Sequence, residues 1–234
     1  MVARGTDTWP PGPGRGGGPA ASLKAGRQRS EGDVMHFTGQ SSWRMSEDFS
    51  WPLTVALHVR DALGMPAAGP FFVPPVIPAL AEHRAVTGPE LDLVLADEWT
   101  LWFSDLLADH MDVPSNAGIG YMSLGDRDQG FRSLVESCFD AAKEAANSSR
   151  DAYFQHFHGS RGVEGLMITK LVASLEKELR HKAAPFELDV QILPVEGFWL
   201  HRVSGHRVLI SESARRDREQ LRRLLGPVVG ELAQ

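Results

Sequence analysis

His156 and His158 come closest, by type and spacing, to residues that could hold a metal. On a strand or extended turn, positions i and i+2 point the same way and two imidazoles can share an ion; on a helix they diverge by about 200°. A structural zinc needs about four ligands and a catalytic one about three. No cysteine stands near this pair, and the sequence assigns no third ligand. The simpler expectation is a helix end with polar or cationic histidines near its C-terminus. The catalytic alternative is a metal-dependent, hydrolase-like enzyme that joins the pair to carboxylates from elsewhere.

His201 and His206 form a second pair. If Ser204-Gly205 makes a two-residue turn, Val203 pairs with His206 and His201 with Val208. Both imidazoles then lie diagonally on one sheet face, about 7 Å apart, sharing it with Trp199, Val208 and Ile210. Two partly exposed residues at a hairpin tip is the expectation. Cys138 sits in an apolar helical stripe, where burial raises a thiol's pKa and leaves it inert. As the chain's only cysteine, it excludes an internal disulfide or a CxxC metal site and fits a reducing, cytoplasmic setting.

Gly118-Ile-Gly-Tyr-Met-Ser-Leu-Gly125 resembles a phosphate loop only superficially. Its spacing is not G-x-G-x-x-G, no strand precedes it, and Asp126 and Asp128 would occupy the positive end of the next helix. No nucleophile elbow, H-E-x-x-H, Walker or kinase signature occurs. The expectation is therefore no catalytic residue, no metal and no cofactor.

Charge offers the strongest candidate surface. From Glu90 to Asp112 there are seven acidic residues and no Lys or Arg. On a helix, Glu98, Asp105, Asp109 and Asp112 fall on one ridge. Like charges at i, i+4 are unfavourable by about 0.2–0.5 kcal/mol per pair. Relief must come from Arg180, Lys182 or Arg215–Arg223 on neighbouring helices, or from a basic protein partner. These four carboxylates are the candidate partner-binding residues.

The elements that position these groups follow from periodicity. Residues 1–34 are Gly- and Pro-rich with few large apolar groups; a tail over 1–45 is expected to be disordered, because such a composition cannot offset its ordering entropy. A single α+β domain is expected over 46–234. Structure should begin near Ser50, which can cap a short helix carrying Trp51-Pro52 and ending at Gly64. A Pro-rich apolar run, 69–80, follows in extended form. A helix from about Pro89 to His110 has the stripe Leu91, Leu95, Trp99, Trp102 and Leu106. The next stripe, from Phe131 to Ala145, should break at Asn147-Ser148-Ser149, and Ile168 to Leu179 marks another helix. The period then drops to two, and Phe186–Ile192, Phe198–Val203 and Arg207–Ser211 read as a three-stranded antiparallel meander. A final helix, capped by Ser211 or Ser213, should be kinked or split at Gly226-Pro227.

The whole chain carries −6, with 24 basic and 30 acidic residues. Residues 1–34 hold five of the basic and three of the acidic ones, so the remainder has 19 against 27, a net of −8. So acidic a surface disfavours nucleic acid. Pro70 to Ala81, the most apolar stretch, is much shorter than the roughly 20 residues of a membrane span, and four prolines interrupt it. Neither nucleic acid nor membrane is expected as a partner; the oligomeric state is not legible. The functional expectation is a non-catalytic protein-binding, adaptor or regulatory module.

Overall fold

The first strand begins at Trp43, seven residues before the expected start of structure at Ser50. The computed structural model describes residues 43–66, 71–81, 89–108, 118, 120, 122, 124–125, 127–159 and 165–234. Residues 1–42 of the expected disordered tail, the end of the Gly118–Gly125 loop reading at Asp126, and Asp109 and Asp112 lie outside the described residues, while Trp43–Met45, expected in that tail, belong to β1. In chain order the elements are β1 (Trp43–Phe49), α1 (Trp51–Ala62), α2 (Pro89–Ala108), α3 (Gln129–Gly159), α4 (Gly165–Leu179), β2 (Phe186–Leu193), β3 (Leu200–Ser204), β4 (Arg207–Ser211), α5 (Glu212–Arg216) and α6 (Arg218–Leu232).

The α+β class holds, but the sheet corrects the three-stranded antiparallel meander. It is mixed and four-stranded, in the order β1-β2-β4-β3, with β2 parallel to both β1 and β4 and only the β3–β4 hairpin antiparallel. Burial explains the order. Val208, Leu209 and Ile210 of β4 are all buried, so both faces of that strand are covered, as in a central strand. The half-buried β3 takes the edge. The connection after β2 therefore crosses the end of β4 before the chain turns back.

Parallel register sorts side chains onto two faces. Trp43, Met45, Glu47 and Phe49 share one face with Phe186, Leu188, Val190 and Ile192. Helices cover it: Phe49 packs on Tyr153 of α3, Arg215 of α5 bonds Glu47, and Arg202 of β3 pairs with Glu231 of α6. Arg44, Ser46, Glu187, Asp189 and Arg207 lie on the opposite face. Over β3 and β4 that face is covered by α2, whose Leu107 carbonyl accepts from Arg207 Nη1 at 2.6 Å, and by Phe71, stacked on His201 at 3.6 Å. Over β1 and β2 it is open to solvent.

α1 begins where expected, with proline in its first turn and Gly64 at φ 65° just past its end. Ser50 does not cap it through its side chain; its N–H donates instead to the Ile192 carbonyl at 3.1 Å, tying the helix start to β2. The Pro-rich run lies beside α1 as a strap. Arg60 Nη1 and Nη2 donate to the carbonyls of Val73 and Pro74 at 2.8 and 2.9 Å, and Asp61 Oδ2 accepts from Val76 N at 2.7 Å. Val76 then bridges to Val195.

One expected helix break is absent and another falls elsewhere. α3 runs unbroken through Asn147-Ser148-Ser149, where Asn147 Oδ1 accepts from Trp51 Nε1 of α1 at 2.9 Å. A tertiary partner thus overrides the asparagine's local competition for backbone bonds. The last helix is divided at Asp217 rather than at Pro227, which lies inside α6. Ser211 caps α5 by accepting from Ala214 N, and Asp217 caps α6 by accepting from Glu219 N and Gln220 N at 2.9 and 3.0 Å. Asp217→Ala should therefore cost about 1 kcal/mol, through the lost cap. A drop of about 2–4 °C in the thermal midpoint is the expected reading; an unchanged midpoint would mean that α6 is held by packing alone.

Candidate functional site

α2 is wet on one side and buried on the other. Its stripe enters the core as expected: Leu95, Trp99, Trp102 and Leu106 are buried, joined by Ala96, Phe103 and Leu107. Trp99 Nε1 donates to the Ala56 carbonyl at 2.9 Å and Trp102 Nε1 to that of Met122, so both indoles are core residues with satisfied polar edges.

The outer side carries large apolar residues beside the acidic ones read from the sequence. Leu93, Val94 and Leu101 are 67%, 54% and 53% exposed. Counting about 100° per residue, Val94, Glu98, Leu101 and Asp105 form one ridge, flanked by Leu93 and Asp97. Apolar and acidic positions thus alternate along it. Sequence reasoning missed the three apolar members, because stripe counting assigns a helix one apolar face and Leu93, Val94 and Leu101 sit outside that stripe.

The carboxylates of this ridge do not meet the arginines of the last helix. Asp105 is paired with Arg127, from just before α3. Arg215 pairs with Glu47, Arg216 with Glu212 and Arg222 with Glu178. Asp97 and Glu98 make no ion pair among the described residues.

The histidines are dispersed. His156 lies on α3, in helical rather than extended geometry, and the side chain of His158 lies outside the described residues. The electrostatic neighbour of His156 is Glu212, whose carboxyl burial pushes up against the opposing pull of Arg216 and His156. His201 and His206 also part company. The turn residues are Gly205 and His206, Ser204 pairs with Arg207, and the register shifts between Arg202 and Ser204. His201 thus pairs with Leu209 rather than Val208, on the face opposite Val208 and Ile210. There it stacks between Phe71 and Trp199, and burial lowers its pKa. Cys138 is buried as expected, and burial pushes its thiol up to about 11. Among the described residues no three His, Cys, Asp or Glu side chains are grouped to hold a metal.

A polar cluster that the sequence did not announce lies on the covered face. Glu47 accepts from Tyr153 Oη and from Arg215 Nε, each at 2.6 Å, with Arg215 nearly enclosed. Burial, and then Glu47 beside it, hold the Tyr153 hydroxyl far above its ordinary pKa, so it stays a donor. The cluster joins β1, α3 and α5, and its groups are engaged with one another rather than with an opening.

Fold and surface together define an α+β chain on a mixed four-stranded sheet that displays an apolar-acidic helix ridge. Among the described residues no helix is long and apolar enough to cross a membrane. No protein-family model, curated protein or solved structure matches this chain.

Proposed function

We propose that this protein is a non-catalytic protein-binding module that docks a basic, amphipathic helix of a partner on the outer ridge of α2. The observation that carries this reading is the exposure of Leu93, Val94 and Leu101 beside Asp97 and Glu98. Three large apolar side chains on one exposed helix side are a surface that gains free energy by being covered, at about 25 cal/mol per Å² removed from water. The carboxylates between them select the partner's sign. Lysines or arginines flanking an apolar stripe at i, i+3, i+4 spacing meet both features at once, the helix-against-helix mode of recognition. Asp97 and Glu98, having no internal cation among the described residues, would also steer the encounter.

The test pairs the parent with Leu101→Asp, which keeps the helix and removes the apolar centre of the ridge. Because Leu101 is exposed, the variant should melt within about 0.5 kcal/mol of the parent. Captures from native cells should differ by a protein retained on the parent and lost on the variant. With that protein purified, association should slow as salt rises. Identical captures on parent and variant would remove α2 as the docking surface.

A further inference from the structure

The open half of the polar sheet face holds a cleft of about 320 Å³ between Arg44 and Ser46 of β1, Glu187 and Asp189 of β2, and the β3–β4 turn. It is distinct from the α2 ridge, and its floor and one wall are fixed by hydrogen bonds. In the floor, Asp189 accepts from Ser46 Oγ at 3.2 Å, from Gln191 Nε2 at 3.0 and 3.1 Å, and from Arg207 Nε at 3.1 Å. Its charge is answered within the protein. The wall is the turn: Asp189 N donates to the His206 carbonyl at 2.8 Å, and His206 Nδ1 lies 3.3 Å from the Glu187 carbonyl. A carbonyl only accepts, so that contact puts a proton on Nδ1, and in the neutral ring Nε2 is then the acceptor. Ser204 Oγ accepts from His206 N at 3.2 Å, leaving its own proton to donate.

The uncommitted groups are of opposite sign and adjacent. Arg44 and Glu187 are register partners across the parallel β1–β2 pair, side by side on this face. Neither side chain makes a hydrogen bond or ion pair among the described residues. A simple anion attracted to Arg44 meets the Glu187 carboxylate, and a simple cation meets the guanidinium. A molecule carrying both charges on neighbouring atoms satisfies both.

We propose that this cleft binds a small zwitterion, a free α-amino acid, with its carboxylate on Arg44 and its ammonium between Glu187 and Nε2 of His206. The guanidinium presents paired donors that match a carboxylate's two oxygens. The ammonium donates to a carboxylate and to a ring nitrogen whose tautomer is set by the Glu187 carbonyl. Fixed walls lower the ordering cost of binding.

The experiment titrates the full chain with each common amino acid to about 5 mM, by calorimetry and amide chemical shifts. Any amino acid that binds is then compared with its N-acetylated and C-amidated forms, and with acetate and inorganic phosphate. The expected result is saturable binding of at least one amino acid, weakened about tenfold or more when either end is blocked. Arg44→Gln and Glu187→Gln should each weaken it similarly, with unchanged melting curves since both residues are exposed. No saturable binding by any amino acid would overturn the proposal and leave Arg44 and Glu187 as a solvated cross-strand pair. So would equal binding of acetate or phosphate, or full affinity in both folded variants.

Discussion

Arg60→Met should lower the stability of this protein by about 3–5 kcal/mol, the scale for removing one member of a buried charged network. Arg60 is enclosed in the core, at 1% exposure. Its guanidinium has a use for nearly every edge: Nε donates to Asp61 Oδ1 at 2.6 Å, Nη1 and Nη2 hold the Val73 and Pro74 carbonyls, and the carbon stands 5.5 Å over the Trp99 ring. Methionine fills much of the stem's volume but donates nothing. Two buried carbonyls then lose their partners, Asp61 loses its cation, and the strap loses two of its fastenings to α1. Each orphaned buried group adds about 1–3 kcal/mol. For a chain of this size the thermal midpoint should fall by on the order of 10 °C. The double variant Arg60→Met, Asp61→Asn should recover part of that loss, because the carboxylate is no longer left half-buried without its cation. A single variant melting within about 1 kcal/mol of the parent would show that water reaches the Val73 and Pro74 carbonyls and that Arg60 is not the fastening of the strap.

Arg60 also shows where sequence reading reaches its limit. Local patterns were legible wherever one face is apolar throughout: the α2 stripe, the α1 start at Trp51-Pro52, the Cys138 helix and the three C-terminal strands all lie close to where periodicity puts them. What stayed hidden depends on pairs far apart in the chain. β1 alternates as Trp43, Met45, Glu47, Phe49, and the acidic residue in an inward position makes the run look like a loop. Its burial is acceptable only because Arg215 and Tyr153 come to it, 168 and 106 positions away. Arg60 sits likewise in what reads as a polar gap of a short helix. The strand order was legible in principle, since Val208-Leu209-Ile210 is an unbroken apolar run of the kind central strands carry, yet short turns favour sequential pairing and suggest the meander instead. On the candidate surface, Glu98 and Asp105 were legible as acidic positions of one ridge, with Asp109 and Asp112 outside the described residues. The exposed leucines and valine between them were not, because exposure depends on what the rest of the chain leaves uncovered. The sheet cleft could not be read at all, as its residues come together only through parallel register.

His58→Leu should stabilise the protein at neutral pH and remove most of its sensitivity to mild acid. His58 is fully buried, on the same side of α1 as Trp51 seven residues earlier, and neither ring nitrogen has a hydrogen-bond partner among the described residues. Burial lowers its pKa from 6.5 to about 4, against a smaller opposing pull from Asp61. In the fold the imidazole is therefore neutral, while the unfolded chain protonates it at an ordinary pH. Stability contributed by the neutral ring is fully present above about pH 6.5 and is lost as pH falls toward about 4, the window in which the unfolded state binds the extra proton. A shift of that size corresponds to about 3 kcal/mol over the whole window. Leucine has nearly the same volume, leaves no unsatisfied nitrogen and takes up no proton. At about pH 7.5 it should gain on the order of 1–3 kcal/mol, the cost of the orphaned polar atoms it replaces. Between about pH 7 and pH 4.5 its thermal midpoint should fall distinctly less than the parent's, since every other titrating group is common to both proteins. Denaturant melts of the two at both pH values measure the difference directly. Parallel losses in parent and variant would mean that water or a shifted rotamer already satisfies His58, and that the acid response belongs to the carboxylates.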